Sequence, residues 1–478
     1  MMVDELWAAM EAAPGWDGAI RRGSTGAGLD VRDAHHDSRD AAPGTLFCCV
    51  TGQSHDGHRY APAAVEAGAV ALLCERELDL AVPQFVVTST RAAMGEVAAA
   101  IHGRPADRLA MVGVTGTNGK TTVVHLLDAI FTAAGRRSRA VGTLTGARTT
   151  PEATDLQRLL ATFVADGVDT VAMEVSSHAL VQHRVDGVRY DVAVFTNLSR
   201  DHLDYHHDMA EYFRAKALLF EPVRARKAVV NLDSPEGRLL HDAARVPTVG
   251  YSLGDVSDLE LDVRGSSFRW RDLDVRLALA GDFNVSNALA AATAAVELGV
   301  DPADVVAGLA AAGTVPGRFE LVDEGQPFTA IVDFAHTPDG LHRALASARG
   351  LAGERHVLVV FGAGGDRDRS KRPEMGAAAA QGADLVVLTS DNPRSEDPLA
   401  IIEAVRSGAT SASDTLELVV EPDRSAAIAL AVARAQPGDV VLIAGKGHET
   451  TQTIGARVLP FDDREVLRDA LRHTENRP

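Results

Sequence analysis

The chain has 478 residues, room for roughly three domains, and its 46% apolar and 24% charged content is that of an ordinary globular protein. Lys and Arg number 47 against 66 Asp and Glu, and the net charge of −19 argues against unaided binding to DNA, RNA or an anionic membrane while leaving room for a locally basic pocket. The three cysteines, Cys48, Cys49 and Cys74, give neither a disulfide framework nor the paired spacing of a structural zinc site.

Met1 to Ala13 carries Asp4, Glu5 and Glu11 and no basic segment, so it does not read as a signal peptide. No apolar run reaches the roughly 18 residues of a membrane span. The expectation is a reduced, cytoplasmic protein. Short apolar runs alternate with helical stretches: Leu109–Val114, Thr170–Val175, Val192–Thr196, Ala228–Asn231, Ala330–Asp333, Val357–Phe361, Leu385–Leu388 and Val440–Ala444. Such runs suit parallel strands buried on both faces. After Lys120, the residues Val123, Val124, Leu126, Leu127, Ile130 and Phe131 keep helical spacing, and Gly135 is a good stop. The alternation predicts doubly wound α/β domains. Gly103-Arg104-Pro105 and Pro316-Gly317 divide the chain into residues 1–105, 106–316 and 317–478.

Polar, glycine-rich or charged clusters follow most of these runs, where ligands bind in open α/β sheets. The first is Thr115-Gly116-Thr117-Asn118-Gly119-Lys120-Thr121-Thr122. Its glycines let backbone N–H groups face a phosphate, Lys120 would reach the β/γ-phosphates and Thr121 would bind Mg²⁺. It departs from the usual phosphate loop by one residue, since five residues separate Gly113 from Gly119. Glu174 ends the next run, placed either for Mg²⁺ or as a solvated or capping carboxylate. The Asp201-His202 pair, after Thr196-Asn197-Leu198-Ser199-Arg200, reads equally as structural. Lys216 lies on an apolar helical stretch and either snorkels to water or is a desolvated functional amine.

In the last third, Gly317-Arg318-Phe319-Glu320 precedes four strand-end clusters. They are Asp333-Phe334-Ala335-His336-Thr337-Pro338, Gly362 to Pro373, Asp391-Asn392-Pro393-Arg394 and Gly445-Lys446-Gly447-His448-Glu449. The second is either a solvated charge run or an anion site after a glycine turn. Together they place Arg, Lys, Asn and Glu on one sheet edge, which suits a zwitterionic ligand.

With these clusters in this order and at this spacing, the chain resembles the Mur ligases of peptidoglycan synthesis, and among them the MurE type. The resemblance runs from Asp37-Ser38-Arg39 and Asp56-Gly57-His58 to Phe461-Asp462-Asp463. Its more specific parts are Glu174–His178, Asn197–His206, Asp333–Pro338, Gly364–Pro373, Asp391–Arg394 and Gly445–Glu449. The resemblance implies a central ATP-binding parallel sheet flanked by an N-terminal UDP-binding α/β domain and a C-terminal Rossmann-like domain. It implies a monomer that uses ATP and Mg²⁺ to join meso-diaminopimelate to the D-Glu γ-carboxylate of UDP-MurNAc-L-Ala-D-Glu through an acyl phosphate.

Site residues follow from the same resemblance. Ser38, Gln53, Ser54 and His55 would hold the UDP end, and Thr149, Thr150, Ser176, Gln182 and Arg184 the rest of the acceptor. Val114, Thr115, Gly116, Thr117, Asn118, Gly119, Lys120 and Thr121 would wrap the ATP phosphates, with Asn287 by the adenine and Arg318 and Asp333 reaching across from the last domain. Thr121, Glu174, His202 and Lys216, the last carbamylated, would serve the metal. Lys120, Lys216 and His202 would be catalytic. Arg367, Asp391, Asn392, Pro393, Arg394, Gly445 and Glu449 would bind diaminopimelate. The Asp391–Arg394 form goes with diaminopimelate, whose distal carboxylate Arg394 can pair. Phe334 stands where the family usually has Tyr, Arg148 where Asn is common, and His36 where an apolar residue is usual. Arg148 and His36 are the basis of an alternative, a related ligase with another acceptor or amino acid. A non-catalytic protein on the same fold is disfavoured by Lys120, Thr121, Glu174, His202 and Lys216 occurring together.

Overall fold

A computed structural model describes residues 1–11, 20–22, 28–52 and 55–475. Gln53 and Ser54, expected near the UDP end, lie outside the described residues. Three α/β units follow one another. The first is a five-stranded sheet in the order Ile20–Arg22, Gln84–Val86, Ala69–Cys74, Thr45–Cys48, Asp33–His35. The central sheet has six parallel strands in the order Thr248–Tyr251, Ala225–Asn231, Tyr190–Phe195, Ala110–Thr115, Thr170–Glu174, Ser138–Val141. The last sheet runs Glu320–Leu321, Thr329–Asp333, Val440–Ala444, Val357–Phe361, Leu385–Leu388, Glu417–Val420. No helix among the described residues is long and apolar enough to cross a membrane.

All eight apolar runs are strands, and Val357–Phe361, Leu385–Leu388 and Val440–Ala444 have the expected ends. Their burial on both faces explains why they were legible. In Ala110–Thr115, Val112 and Val114 join the core beneath the helix Lys120–Ala133, while Met111 joins the core on the opposite face. Gly113 is required where Tyr190 crosses, since a Cβ there would come within 2.8 Å of the ring.

Antiparallel strands accompany the parallel ones. Ile20–Arg22 and Glu320–Leu321 pair antiparallel at sheet edges, and Val256–Asp262, Gly265–Trp270 and Leu273–Leu277 form a separate antiparallel sheet. In Gly265–Trp270 only the alternate residues Ser266, Phe268 and Trp270 are buried. A one-faced strand shows a period of two rather than an apolar run. Phe268 and Trp270 extend the central core beside the helices Asp282–Glu297 and Pro302–Ala311.

A buried ion pair locks the last helix, Asp463–Glu475, to the final sheet. Arg424 Nε and Nη2 each lie 2.7 Å from the Asp463 carboxylate, and Nη2 also donates to the Ala444 carbonyl at 2.9 Å. Both side chains are 0% exposed, so removing one partner strands a charge. Asp463→Ala is expected to destabilise the C-terminal unit by about 3–5 kcal/mol. Urea unfolding measures this, and a loss below about 1 kcal/mol would contradict the account.

Candidate active site

The carboxyl ends of the central and last sheets face each other across a cavity of about 390 Å³. On the central side, Gly116 and Gly119 adopt φ of 152° and 89°. A Cβ on Gly119 would strike Asn287 Oδ1, so the glycine brings Asn287 against the loop. Lys120 Nζ donates to the carbonyls of Gly116 and Thr117 at 2.8 and 2.9 Å. Burial lowers its pKa, with Glu174 working against the shift. Asn118 N donates to Asn197 Oδ1 at 2.9 Å, which fixes the loop to the next strand end.

Glu174 is 1% exposed at the end of its strand. Its carboxylate accepts from Thr121 Oγ1 at 3.0 Å and from Thr143 N at 2.8 Å. A buried carboxylate beside a hydroxyl and a phosphate loop is a hard oxygen donor set. Mg²⁺ needs one or two such protein oxygens, completed by phosphate and water. No group of three or more His, Cys, Asp or Glu that could hold a metal occurs among the described residues. The residues therefore fit Mg²⁺ held jointly with a nucleotide.

One open reading is decided by burial. Lys216, on the helix Met209–Ala217, is 1% exposed and does not snorkel. Its Nζ donates to Gly116 O at 2.8 Å and sits 4.3 Å from the Tyr212 ring centroid. Burial, reinforced by the charge of Lys120, holds its pKa well below the ordinary lysine value. His202 stands in the left-handed region at φ 56° and stacks edge-on to His178 at 4.8 Å. Burial pushes its pKa down to about 3, so the imidazole is neutral.

From the last unit, Arg318 Nη2 donates to Thr121 Oγ1 at 3.1 Å, and its guanidinium lies 4.3 Å from the Phe334 ring. Asp333 accepts from the backbone N–H groups of Phe319 and Ala335 at 2.7 and 2.8 Å. At the far end, Asn392 Nδ2 and Lys446 Nζ hold Glu449 Oε2 at 2.8 and 3.2 Å. Arg394 Nη1 donates to Gly365 O at 2.6 Å. Gly365 carries no Cβ because one would strike Pro393 O.

The cavity brings together Thr117, Asn118, Gly119, Lys120, Thr121, Asn287, Arg318 and Asp333 with Glu174, His202 and Thr149. It adds Arg367, Asp391, Asn392, Arg394, Gly445 and Glu449. Val114, Thr115, Gly116, Lys216 and Pro393 do not line it. Val114 and Thr115 are buried in the strand, while Gly116 and Lys216 lie beneath the loop. Ser38 and the exposed His55 belong to the first unit and are also outside it.

Thr150, Ser176, Gln182 and Arg184 form a neighbouring network. Thr150 Oγ1 donates to Glu174 O at 2.9 Å, and Arg184 donates to Thr150 O and Gln182 Oε1 at 3.3 and 2.7 Å. Buried Glu152 anchors three arginines there: Arg184 at 3.2 Å, Arg91 at 3.1 Å and Arg148. The unusual Arg148 is thus the partner of a buried carboxylate, and His36 Nδ1 meets Thr154 Oγ1 at 3.0 Å.

Sequence reasoning missed the contacts that join the units. Lys371 Nζ reaches Asp201 at 3.2 Å, Arg200 contacts Ser370 Oγ at 2.8 Å and pairs with Glu374, and Asn118 Nδ2 donates to Asp339 at 3.3 Å. His336, Asp201 and Lys371 also line the cavity. Their strand-end clusters were visible, but pairings across some 170 residues of chain carry no local signal.

Three family models match the chain: the Mur ligase family catalytic domain over residues 34–111, the Mur ligase middle domain over 114–295, and the Mur ligase glutamate ligase domain over 317–447. A UDP-N-acetylmuramoyl-L-alanyl-D-glutamate–2,6-diaminopimelate ligase of Geobacillus thermodenitrificans is 46% identical, with 94% of this chain and 96% of that protein aligned. One of the same name from Streptomyces avermitilis is 46% identical over 95% and 96% of the two chains. A solved structure of a ligase of that name superposes with a TM-score of 0.66 at 34% identity, covering 94% and 96% of the two chains. The MurF ligase of Thermotoga maritima in complex with ADP shares the fold, with a TM-score of 0.64 at 20% identity over 93% and 97% of the chains. The chain belongs to the Mur ligase family.

Proposed function

We propose that this chain is an ATP-dependent C–N ligase of peptidoglycan precursor synthesis that adds meso-diaminopimelate to the D-Glu γ-carboxylate of UDP-MurNAc-L-Ala-D-Glu. The observation that carries the reading is one cavity with a phosphate loop at one end and Arg394, Asn392 and Glu449 at the other. The names and near full-length identity of the relatives support the same substrates. The units 1–105, 106–316 and 317–478 would take the UDP end, ATP and the amino acid respectively. The protein would act as a monomer. Three buried free thiols suit a reducing cytoplasm.

A carboxylate and an amine do not condense in water without activation. ATP transfers its γ-phosphoryl group to the acceptor carboxylate, giving an acyl phosphate, and the amine displaces phosphate. Both partners of the first step are anionic. Lys120 and Arg318 screen that repulsion and the charge that develops on the phosphoryl oxygens. Mg²⁺, held by Thr121 and Glu174, supplies further charge neutralisation when bound. The Lys371–Asp201 and Arg200–Glu374 pairs hold the last unit over the loop and keep water from the acyl phosphate. Arg184 and the threonines Thr149 and Thr150 orient the acceptor.

Lys216 reacts with CO₂ as a free amine, forming an N–C bond and releasing a proton. The resulting carbamate is a metal-binding carboxylate. Lys216→Ala is expected to lose about 10²-fold or more in rate, with partial rescue by acetate. A variant within tenfold of wild type would remove the lysine from the mechanism.

ADP release with the UDP-dipeptide, ATP and Mg²⁺ tests the whole reading. Turnover is expected with meso-diaminopimelate and at background with L-lysine or no amino acid. Turnover with lysine alone would overturn the amino-acid assignment. ATP binding without turnover on either would favour the related ligase with another acceptor.

A further inference from the structure

The second step must strip a proton from an ammonium group before its nitrogen can attack. Several titratable groups of the cavity are already committed. Glu174 is held by Thr121 and Thr143, Asp333 by two backbone N–H groups, and Glu449 by Asn392 and Lys446. Lys120 and Lys371 are donors only.

His336 differs. It lies in the loop after Thr329–Asp333 and lines the cavity. Its Nδ1 is 2.8 Å from the Phe334 carbonyl, which can only accept, so Nδ1 carries the proton. In the neutral ring this leaves the lone pair on Nε2. Nε2 lies 3.7 Å from Asp201 Oδ2, too far for a hydrogen bond. Asp201 is 5% exposed, gives Oδ1 to Lys371 at 3.2 Å, and has His202 Nε2 at 3.4 Å from Oδ2. A basic nitrogen thus stands opposite a fixed carboxylate, with its other nitrogen anchored. This is the arrangement of a proton acceptor whose cation is stabilised once formed.

Its neighbours connect it to both ends of the cavity. The imidazole packs on Phe334 with centroids 4.5 Å apart. Phe334 in turn carries Arg318, which binds the phosphate-loop residue Thr121, and touches His448 of the Glu449 loop at 5.1 Å. Lys371, through Asp201, ties the same point to the loop that carries Arg367.

We propose that His336 is the general base of amide formation, taking the amine proton on Nε2. The assignment rests on the ligase reading above. One ammonium proton passes to Nε2. The amine nitrogen bonds to the acyl carbon as the C–O bond to phosphate breaks. The second proton leaves with the phosphate, and His336 returns its own to solvent when the site opens.

The two half-reactions separate this role from a structural one. His336→Ala and His336→Gln would be mixed with UDP-dipeptide and ATP and quenched with borohydride, which reduces a trapped acyl phosphate to an alcohol. A second series would include meso-diaminopimelate and follow amide formation. Acyl-phosphate formation and KM for ATP are expected within about threefold of wild type, while amide formation falls about 10²- to 10⁴-fold. Partial rescue of the alanine variant by imidazole is also expected. Equal loss in both half-reactions, or amide formation within tenfold of wild type, would overturn the assignment. Wild-type enzyme that forms no acyl phosphate on this acceptor would instead overturn the ligase reading itself.

Discussion

Lys120→Met is expected to reduce ADP release by about 10³-fold or more while leaving the fold intact. The ammonium is held over the loop by two carbonyls and sits beside buried Glu174 and Arg318. Lys120 also lines the cavity. That placement favours the transferring phosphoryl group, whose charge the charged amine meets without reorganisation. A methionine fills a similar volume and loses only two hydrogen bonds, each contributing about 1 kcal/mol. Removing a desolvated charge offsets part of that cost. Unfolding by urea should change little, and circular dichroism should not change. Retention of a tenth of wild-type turnover would exclude Lys120 from the phosphoryl step.

Arg394→Ala is expected to separate the two candidate amino acids. Arg394 lines the cavity and spends one N–H group on Gly365 O, leaving the rest of its guanidinium for a ligand. Its backbone lies at φ 54°, a conformation that non-glycine residues adopt only when their surroundings impose it. Here the surroundings are the Pro393 approach to Gly365 and a bridge to Ile454. Diaminopimelate carries a distal carboxylate that lysine lacks. Losing the partner of such a charge costs about 2–5 kcal/mol, or roughly 30- to 4000-fold in kcat/KM. Whatever slow reaction lysine shows should be unaffected. Arg394→Lys should recover little, because an ammonium cannot form the two parallel bonds of a guanidinium. Equal losses for both amino acids would mean that Arg394 shapes the turn and reads no carboxylate.

Both predictions use residues visible in the sequence, because strand-end clusters are local. A strand buried on both faces must be an apolar run, and the residue after it is at the sheet edge. That rule places the clusters that hold Lys120, Glu174, Asp333, Asn392, Arg394 and Glu449. Elements with one exposed face were not legible in the same way. Ser138–Val141, Thr248–Tyr251, Glu417–Val420 and the antiparallel sheet from Val256 to Leu277 sit at edges or cover one side of a core, so their apolar residues are interrupted.

Chemistry that depends on burial or on a partner from another unit was settled by the tertiary structure. The helical stretch around Lys216 is equally compatible with a solvated or a buried amine. Only the packing of Tyr212 and the phosphate loop over Nζ makes it buried. His336 and Asp201 are ordinary residues in their own segments, and they become a pair only when the last unit closes on the central one. The sequence by itself determined which residues stand at the strand ends, because period and burial are written in neighbouring positions. Which of them share a cavity, and which are dehydrated there, depends on the docking of sheets distant along the chain, because desolvation and charge pairing are properties of the assembled volume.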